Sequence, residues 1–447
     1  MIGIKNGMVM QRNGDGVCQV LLTDVDEIRC GSFCGAREGQ LHWEKAEDGW
    51  ILTGIPVGGP YCVTVNEETF TDIFVGDVWL LAGQSNMEGV GWLTEEDRAF
   101  EGEEDVRSFG MDDFWVPARG RLHRPWLAVD KVHTEALICD PGNDPENRGI
   151  GPGLYFAQKM KMATGVPQGV ICCAHGGTAL HQWDPALKVQ GPGKSLYGAM
   201  MRRFRANGSH VRGLFWYQGC SDAMSRKHEA FTENTKVLFE NVREDFGPIP
   251  IVQVQLGNVT CGVMPNWDND WSSVREQQRV MATVVPMLDT VSAIGMEKDD
   301  AVHLSSASQK EIGRSAAESM CALLGLEGYL PAPAYKNHKV YPAWLQRCTI
   351  IEIEYDHVWG GLRAEGVVAG FALSNTDEKA LPNWVAKVSV EGNKVYLRVP
   401  RTMEQLENWY MYYGYGANPY CNIMDQHGRR IPAMGPIRLN VEGEGSV

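Results

Sequence analysis

Four short stretches hold side chains able to work on an ester: "LLAGQSNMEG" from Leu80, "HGGT" from His175, "QGCSD" from Gln218 and "DDAVH" from Asp299. A serine placed just after an apolar run that ends in glycine sits on a tight turn, where its hydroxyl is exposed for attack. Ser85 is so placed, although the same position also suits a serine that caps a short helix. A serine nucleophile needs a base to take its proton and an acid to orient that base. Asp300 and His303 offer both from one loop, with Asp299 as the competing acid. The same two residues equally suit a surface loop ahead of the helix in "SSASQKEIG", capped by Ser305 or Ser306. Acyl transfer also needs donors aimed at a developing oxyanion. The amide of Ser85, a glycine amide from Gly176 and the side-chain amide of Gln218 are the candidates, with Gly177 a near competitor for Gly176. Gly176 also fits a turn with positive φ, and Gln218 a buried amide that satisfies the backbone. Trp183 in "HQWDP" either stacks on a sugar ring or closes the core, whereas His175 and His181 read as structural histidines.

These residues fall at the ends of apolar runs, "DVWLLAG", "GVICCAHGG", "VRGLFWYQG", "PIVQVQLG" and "VSAIGM". Between and after them, "GLYFAQKMKMATG", "SLYGAMMRRFRANG", "HEAFTENTKVLFENVREDFG", "SSVREQQRVMATVV" and "SASQKEIGRSAAESMCALLG" carry apolar residues at helical spacing. Continuous apolar strands alternating with helices predict a doubly wound α/β domain with about five parallel strands. Ligands of such sheets bind beyond the carboxyl ends of the strands, where the four stretches lie. The predicted domain spans residues 75–330. Before it, residues 1–74 hold short runs such as "GVCQVLLTDV", "GWILTGI" and "YCVTVNEETF", an antiparallel β pattern. After "LPAPAY", residues 331–447 return to alternating strands, "CTIIEIEY" and "KVSVEGNKVYLRVPR", with a turn signal at "EGNK".

A chain of 447 residues can bury more than one core, and its net charge of −15 argues against nucleic acid as a partner. No apolar run reaches membrane-spanning length, and the first residues lack the basic and apolar segments of a secretion signal, so the expected location is cytoplasmic without membrane attachment. Most of the twelve cysteines, Cys172, Cys173 and Cys321 among them, read as buried reduced thiols. Cys30 and Cys34 have no second pair at zinc-site spacing and no HExxH is present, so neither a metal nor another cofactor is expected.

With "GQSNM", "GGTALHQW", "WYQG" and "DAVH" in this order, the chain resembles the SGNH hydrolases, specifically the sialate O-acetylesterase-like carbohydrate esterases. "NGMVMQR", "WSSVREQQ" and "YGYGANPYCNIMD" extend the resemblance over nearly the whole chain. The resemblance implies a flavodoxin-like three-layer α/β/α core with β-sandwich-like regions at both termini. It implies Ser85 as nucleophile, His303 as base, Asp300 as its orienting acid, and Ser85, Gly176 and Gln218 as the oxyanion hole, with Gln84, Trp183 and Arg275 as substrate-binding candidates. Two departures bear on substrate: many relatives have Glu where Cys220 stands, and His-Pro where His303 is followed by Leu304 and Ser305. The expected function is a cofactor-free serine esterase that removes O-acetyl groups from a small or oligomeric carbohydrate, in a chain able to form oligomers. The alternatives are an acetylesterase for xylan or mannan oligosaccharides, a lipase-like esterase, and a catalytically silent carbohydrate-binding protein.

Overall fold

The computed structural model describes residues 1–135, 147–225, 228–260, 267–343, 348–376 and 384–440. They form two compact units. The first comprises Met1–Gln218, Glu233–Val252 and Ser305–Ala317, and the second the described parts of Gly219–Thr232, Gln253–Leu304 and Glu318–Val447.

In the first unit a hairpin joins β1 (Gly58–Val65) to the long β2 (Glu68–Gly83), with Val65 paired to Glu68 and Asn66 at positive φ in the turn. β2 starts exposed and is buried at every residue from Ile73 to Gly83, so one strand carries the N-terminal β region into the central sheet through residue 75. Its neighbours are β3 (Val106–Phe109), β4 (Trp115–Pro117), β5 (Gln168–Cys172), β6 (Gly213–Tyr217) and β7 (Ile251–Gln255), in the order β4-β3-β5-β2-β6-β7. β3 runs parallel to β5, and both β5 and β6 run parallel to β2, while β4 is antiparallel to β3, which makes the central sheet mixed. The parallel strands are buried throughout, as continuous apolar runs require.

Helices connect these strands: the single turn α1 (Ser85–Glu88) follows β2, α2 (Gly153–Thr164) precedes β5, α3 (Leu196–Ala206) precedes β6 and α4 (Phe231–Phe246) precedes β7. α2 stops at Gly165 in the left-handed region, and α3 starts where the Gly198 amide donates to Ser195 Oγ at 3.0 Å, the ordinary stop and start signals. From β2 the chain passes to β3 and β4 at the far edge, returns to β5 beside β2, and then crosses to β6 and β7 on the other side. Strand order therefore reverses at β2, and such a reversal opens a crevice beyond the strand's carboxyl end.

In the second unit the end of β7 runs beside β8 (Leu288–Ser292), which lies three residues earlier than "VSAIGM" predicted. The helix α5 (Trp267–Val284) precedes β8, and α6 (Ser306–Leu323) begins in the first unit and ends in the second. β9 (Ala334–Ala343), β10 (Cys348–Asp356), β11 (Lys387–Glu391) and β12 (Lys394–Val399) form an antiparallel sheet in the order β9-β10-β12-β11. Ile351, Ile353 and Tyr355 of β10 alternate inward to meet Leu397 and Val395 of β12. Glu391 pairs with Lys394, which leaves the two-residue turn Gly392-Asn393 that "EGNK" predicted.

Seven of the ten described cysteines are buried free thiols; Cys30 and Cys34 are exposed and Cys62 half-buried. Among the described residues no helix is long and apolar enough to cross a membrane, and no cluster of His, Cys, Asp or Glu is arranged to hold a metal ion.

Candidate active site

The carboxyl end of β2 is built around a glycine for a steric reason. Gly83 has φ +132°, and a Cβ there would lie 2.2 Å from the Tyr217 carbonyl oxygen of β6. The close approach lets the Gln84 amide donate to Tyr217 O at 2.9 Å, while on the opposite side the His175 amide donates to Gly83 O at 3.0 Å. The ends of β5, β2 and β6 are thereby tied together directly beneath Ser85, which begins α1 and is half-buried. Gln309 of α6 donates to Asn86 Oδ1 at 3.2 Å and fixes α1 from the other side.

The loop after β5 is pinned by Thr178, whose hydroxyl donates to His175 O at 2.8 Å and accepts from Trp183 Nε1 at 3.1 Å. Gln218 Nε2 donates to Thr178 O at 3.1 Å. Gly177, not Gly176, takes the positive φ (+70°). Gly176 lies against the serine turn: a Cβ added there would be 3.1 Å from Glu88 Oε2 and 3.5 Å from Ser85 Cβ. The Gly176 amide expected to face an oxyanion donates instead to Glu88 Oε2 at 2.5 Å.

Glu88 is the residue the sequence reading missed. Its signal was the spacing, three residues after Ser85 on one helical turn, which puts both on the same face. Burial pushes its carboxyl up to about 7, against the opposing pull of the Gly176 amide and of Arg121.

Three substrate-binding candidates stand elsewhere than expected. Trp183 is fully buried, edge-to-face with Trp216 at 5.2 Å, so it anchors the Thr178 loop and has no ring face for a sugar. Gln84 is 3% exposed beneath the serine turn. Arg275 is 1% exposed and donates to the carbonyls of Leu256, Gly257, Gly414 and Gly416, which makes it a strut within the second unit. His175 is buried with its Nδ1 3.0 Å from that of His133, consistent with a structural role, and His181 is exposed.

In the second unit Asp300, not Asp299, partners His303. Asp300 Oδ2 lies 2.8 Å from His303 Nδ1, and Oδ1 accepts the amides of Val302 at 3.0 Å and His303 at 2.8 Å. The Asp299 amide closes the loop on His303 O at 2.9 Å. Burial pushes the Asp300 carboxyl up, but the Val302 amide and the His303 ring and amide outweigh it and hold Asp300 well below the ordinary carboxylate range. An ionised acid that grips one ring nitrogen leaves the other directed away, the arrangement of an oriented general base. In the first unit Ser305 takes the capping position of α6, where its hydroxyl accepts the Ser308 amide at 3.4 Å. Cys220 is buried, and burial pushes its thiol up to about 12, so it brings no charge to the place where relatives have a carboxylate.

Residues 75–322, more than half of the chain, match the family model described as "Carbohydrate esterase, sialic acid-specific acetylesterase". A probable carbohydrate esterase of Arabidopsis thaliana is 26% identical over 264 residues, 54% of this chain and 89% of that protein. Human sialate O-acetylesterase is 24% identical over 240 residues, 44% of this chain but only 43% of the human protein. The crystal structure of a carbohydrate acetylesterase from Xanthomonas citri shares the fold, with a TM-score of 0.70 at 20% identity over 98% of this chain and 99% of that one.

Proposed function

Because the chain belongs to the carbohydrate esterase family of sialic acid-specific acetylesterases, we propose that it is a serine esterase that removes O-acetyl groups from a sialic acid-type sugar. In this reading His303, oriented by Asp300, takes the proton of Ser85 as its oxygen attacks the acetyl carbonyl. The amides of Ser85 and Gly176 and the side chain of Gln218 hold the oxyanion, the sugar hydroxyl leaves with the proton from His303, and water repeats the sequence on the acetyl-enzyme. The three-layer α/β/α arrangement and sandwich-like flanks of such hydrolases belong to the same proposal. The observation that carries it is Ser85 at the strand-order reversal, within reach of the Gly176 loop that Gln218 braces.

An anionic sugar is favoured over neutral xylan or mannan by the groups around the serine turn. Arg121 faces Glu88 and lies over Trp126 at 4.9 Å, Arg148 lies over Trp92 at 4.9 Å, and Arg124 adds a third charge near Arg121. Guanidinium groups suit a sugar carboxylate, and the tryptophan faces suit a pyranose ring better than an acyl chain.

The test is acetate release from O-acetylated sialic acid, acetylated xylo- and manno-oligosaccharides, and a matching octanoyl ester. We expect the acetylated sialic acid to lead and the octanoyl ester to trail. Arg121→Ala should raise KM for the sialic acid about tenfold and leave the neutral sugars unchanged. Ser85→Ala should lower kcat by on the order of 10³-fold or more. Activity that survives in Ser85→Ala would reject the serine mechanism, and equal kcat/KM on all substrates would reject the sugar assignment.

A further inference from the structure

The carboxylate of Glu88 occupies the place that the proposed reaction reserves for the substrate. Its Oε2 takes the Gly176 N–H at 2.5 Å, and a Cβ built on Gly176 would lie 3.1 Å from that oxygen and 3.5 Å from Ser85 Cβ. An oxygen held by this amide beside the nucleophile stands where the oxyanion of an attacked ester would be held. Arg121 is the cation that acts on Glu88, with Arg124 and Arg148 acting in turn on Arg121. His123, beside the carbonyls of Leu81 and Glu88, is pushed down to about 3, chiefly by burial, and is therefore neutral. On either side of Glu88 in the turn, Asn86 accepts from the neutral Gln309 of α6 and Gly89 packs against the backbone of residues 149–151.

We propose that Glu88 is a built-in competitor for the oxyanion hole: its ionised carboxylate holds the Gly176 amide in the resting enzyme, and the ester carbonyl gains that amide when Glu88 is protonated. This rests on the reading of Ser85 as nucleophile and Gly176 as donor. An ionised acceptor holds an N–H more strongly than a neutral one, and its charge repels a developing oxyanion, so the charged form opposes catalysis twice. The neutral acid keeps only an ordinary hydrogen bond, which a substrate carbonyl can replace. Burial pushes the Glu88 carboxyl up to about 7, so the exchange between the two forms falls in the neutral range. The ionised competitor dominates above that range, and kcat/KM therefore declines as pH rises through it. On the acid side activity declines independently, because a general base accepts the serine proton only in its unprotonated form.

The experiment compares kcat/KM for 4-nitrophenyl acetate from about pH 5 to about pH 9 in the wild type, Glu88→Gln and Glu88→Ala, with Ser85→Ala as the control for the underlying mechanism. The wild type should lose activity above neutrality, approaching tenfold per pH unit. Glu88→Gln, a permanently neutral analogue, should lose this alkaline decline and keep the acid one, and Glu88→Ala should do the same with higher activity at alkaline pH. Two outcomes overturn the proposal: an alkaline decline that persists in Glu88→Gln, or a loss of tenfold or more at every pH in both variants with folding intact by circular dichroism, which would make Glu88 a strut for the loop. Activity retained in Ser85→Ala would instead remove the mechanism on which the proposal rests.

Discussion

In the proposed mechanism Gln218 and Asp300 both act through atoms that are already committed before any substrate arrives. Gln218 is fully buried and donates to Thr178 O at 3.1 Å, so its amide is held in one orientation beside the loop that carries Gly176. A donor fixed in advance serves the transition state more than the ground state. Gln218→Ala should therefore lower kcat by roughly 10²-fold with little change in KM. Steady-state kinetics separates the cases, since a rise confined to KM would identify Gln218 as a substrate contact. Asp300 accepts from two amides and the His303 ring. Asparagine in its place has one acceptor oxygen and one donor nitrogen, so it cannot satisfy the backbone amides and the ring N–H together. Asp300→Asn should cost on the order of 10³-fold or more in kcat, while His303→Ala, which leaves Asp300 in place, should cost at least as much. Near-full activity in either would remove the pair from the mechanism.

At the level of elements, the turn after β2 depends on how closely β2 and β6 approach. A Cβ on Gly83 would meet the Tyr217 carbonyl at 2.2 Å with φ at +132°, whereas a Cβ on Gly165, also at positive φ, meets nothing within 4 Å. Gly165→Ala should thus cost about 1 kcal/mol, the conformational term alone, and Gly83→Ala on the order of 3 kcal/mol because backbone must also move. Denaturant unfolding measures both, and equal losses would refute the close-approach argument. The elements that local pattern could predict are those whose burial follows from their own spacing. The apolar run of β2, the helical stripes of α2 and α3 and the alternation in β10 are of this kind. β3 escaped because its buried Arg107 breaks the apolar run and pairs with Asp72 at 2.6 Å, a partner on β2. β8 was placed late because Asp289 and Thr290 look like loop residues, yet Asp289 accepts the Ala332 amide and Thr290 bonds to Gln253. The same limit applied at the site. The serine turn and the Asp300–His303 pairing were legible as short local blocks, but the burial of Trp183 depends on Trp216, and the acceptors of Arg275 include Gly414 and Gly416.

Over the whole molecule, Asp97 and Glu88 make folding depend on pH, with opposite signs. Asp97 accepts from Tyr155 Oη at 2.6 Å and Ser306 Oγ at 2.7 Å and lies 3.1 Å from Lys310 Nζ. Burial pushes its carboxyl up, but the bonds from Tyr155, Thr94 and Ser306 outweigh it and hold Asp97 well below the ordinary range. A carboxyl lowered by folding favours the native state above its unfolded pKa, and that contribution is lost on acidification. Asp97→Asn should accordingly reduce stability at neutral pH, by a difference that shrinks only below the ordinary carboxylate range and disappears once the native Asp97 carboxyl is itself protonated. Glu88 works the other way. Its ordinary value of 4.5 is raised to about 7 in the fold. Between those values the unfolded chain has released a proton that the native state still holds, so stability falls as pH rises through this window and then levels off. Complete enclosure would set the penalty near 3 kcal/mol; Glu88 is only half-buried by side-chain exposure, so about 2 kcal/mol is expected at alkaline pH. Glu88→Gln removes the charge and keeps the shape. The variant should match the wild type near pH 4.5, exceed it by about 2 kcal/mol near pH 8, and melt a few degrees higher there. Thermal unfolding of both proteins across that range checks the sign. A constant difference at every pH would mean that Glu88 contributes through packing rather than through its charge, while a wild type that gains on the variant as pH rises would mean that the fold favours the ionised carboxylate.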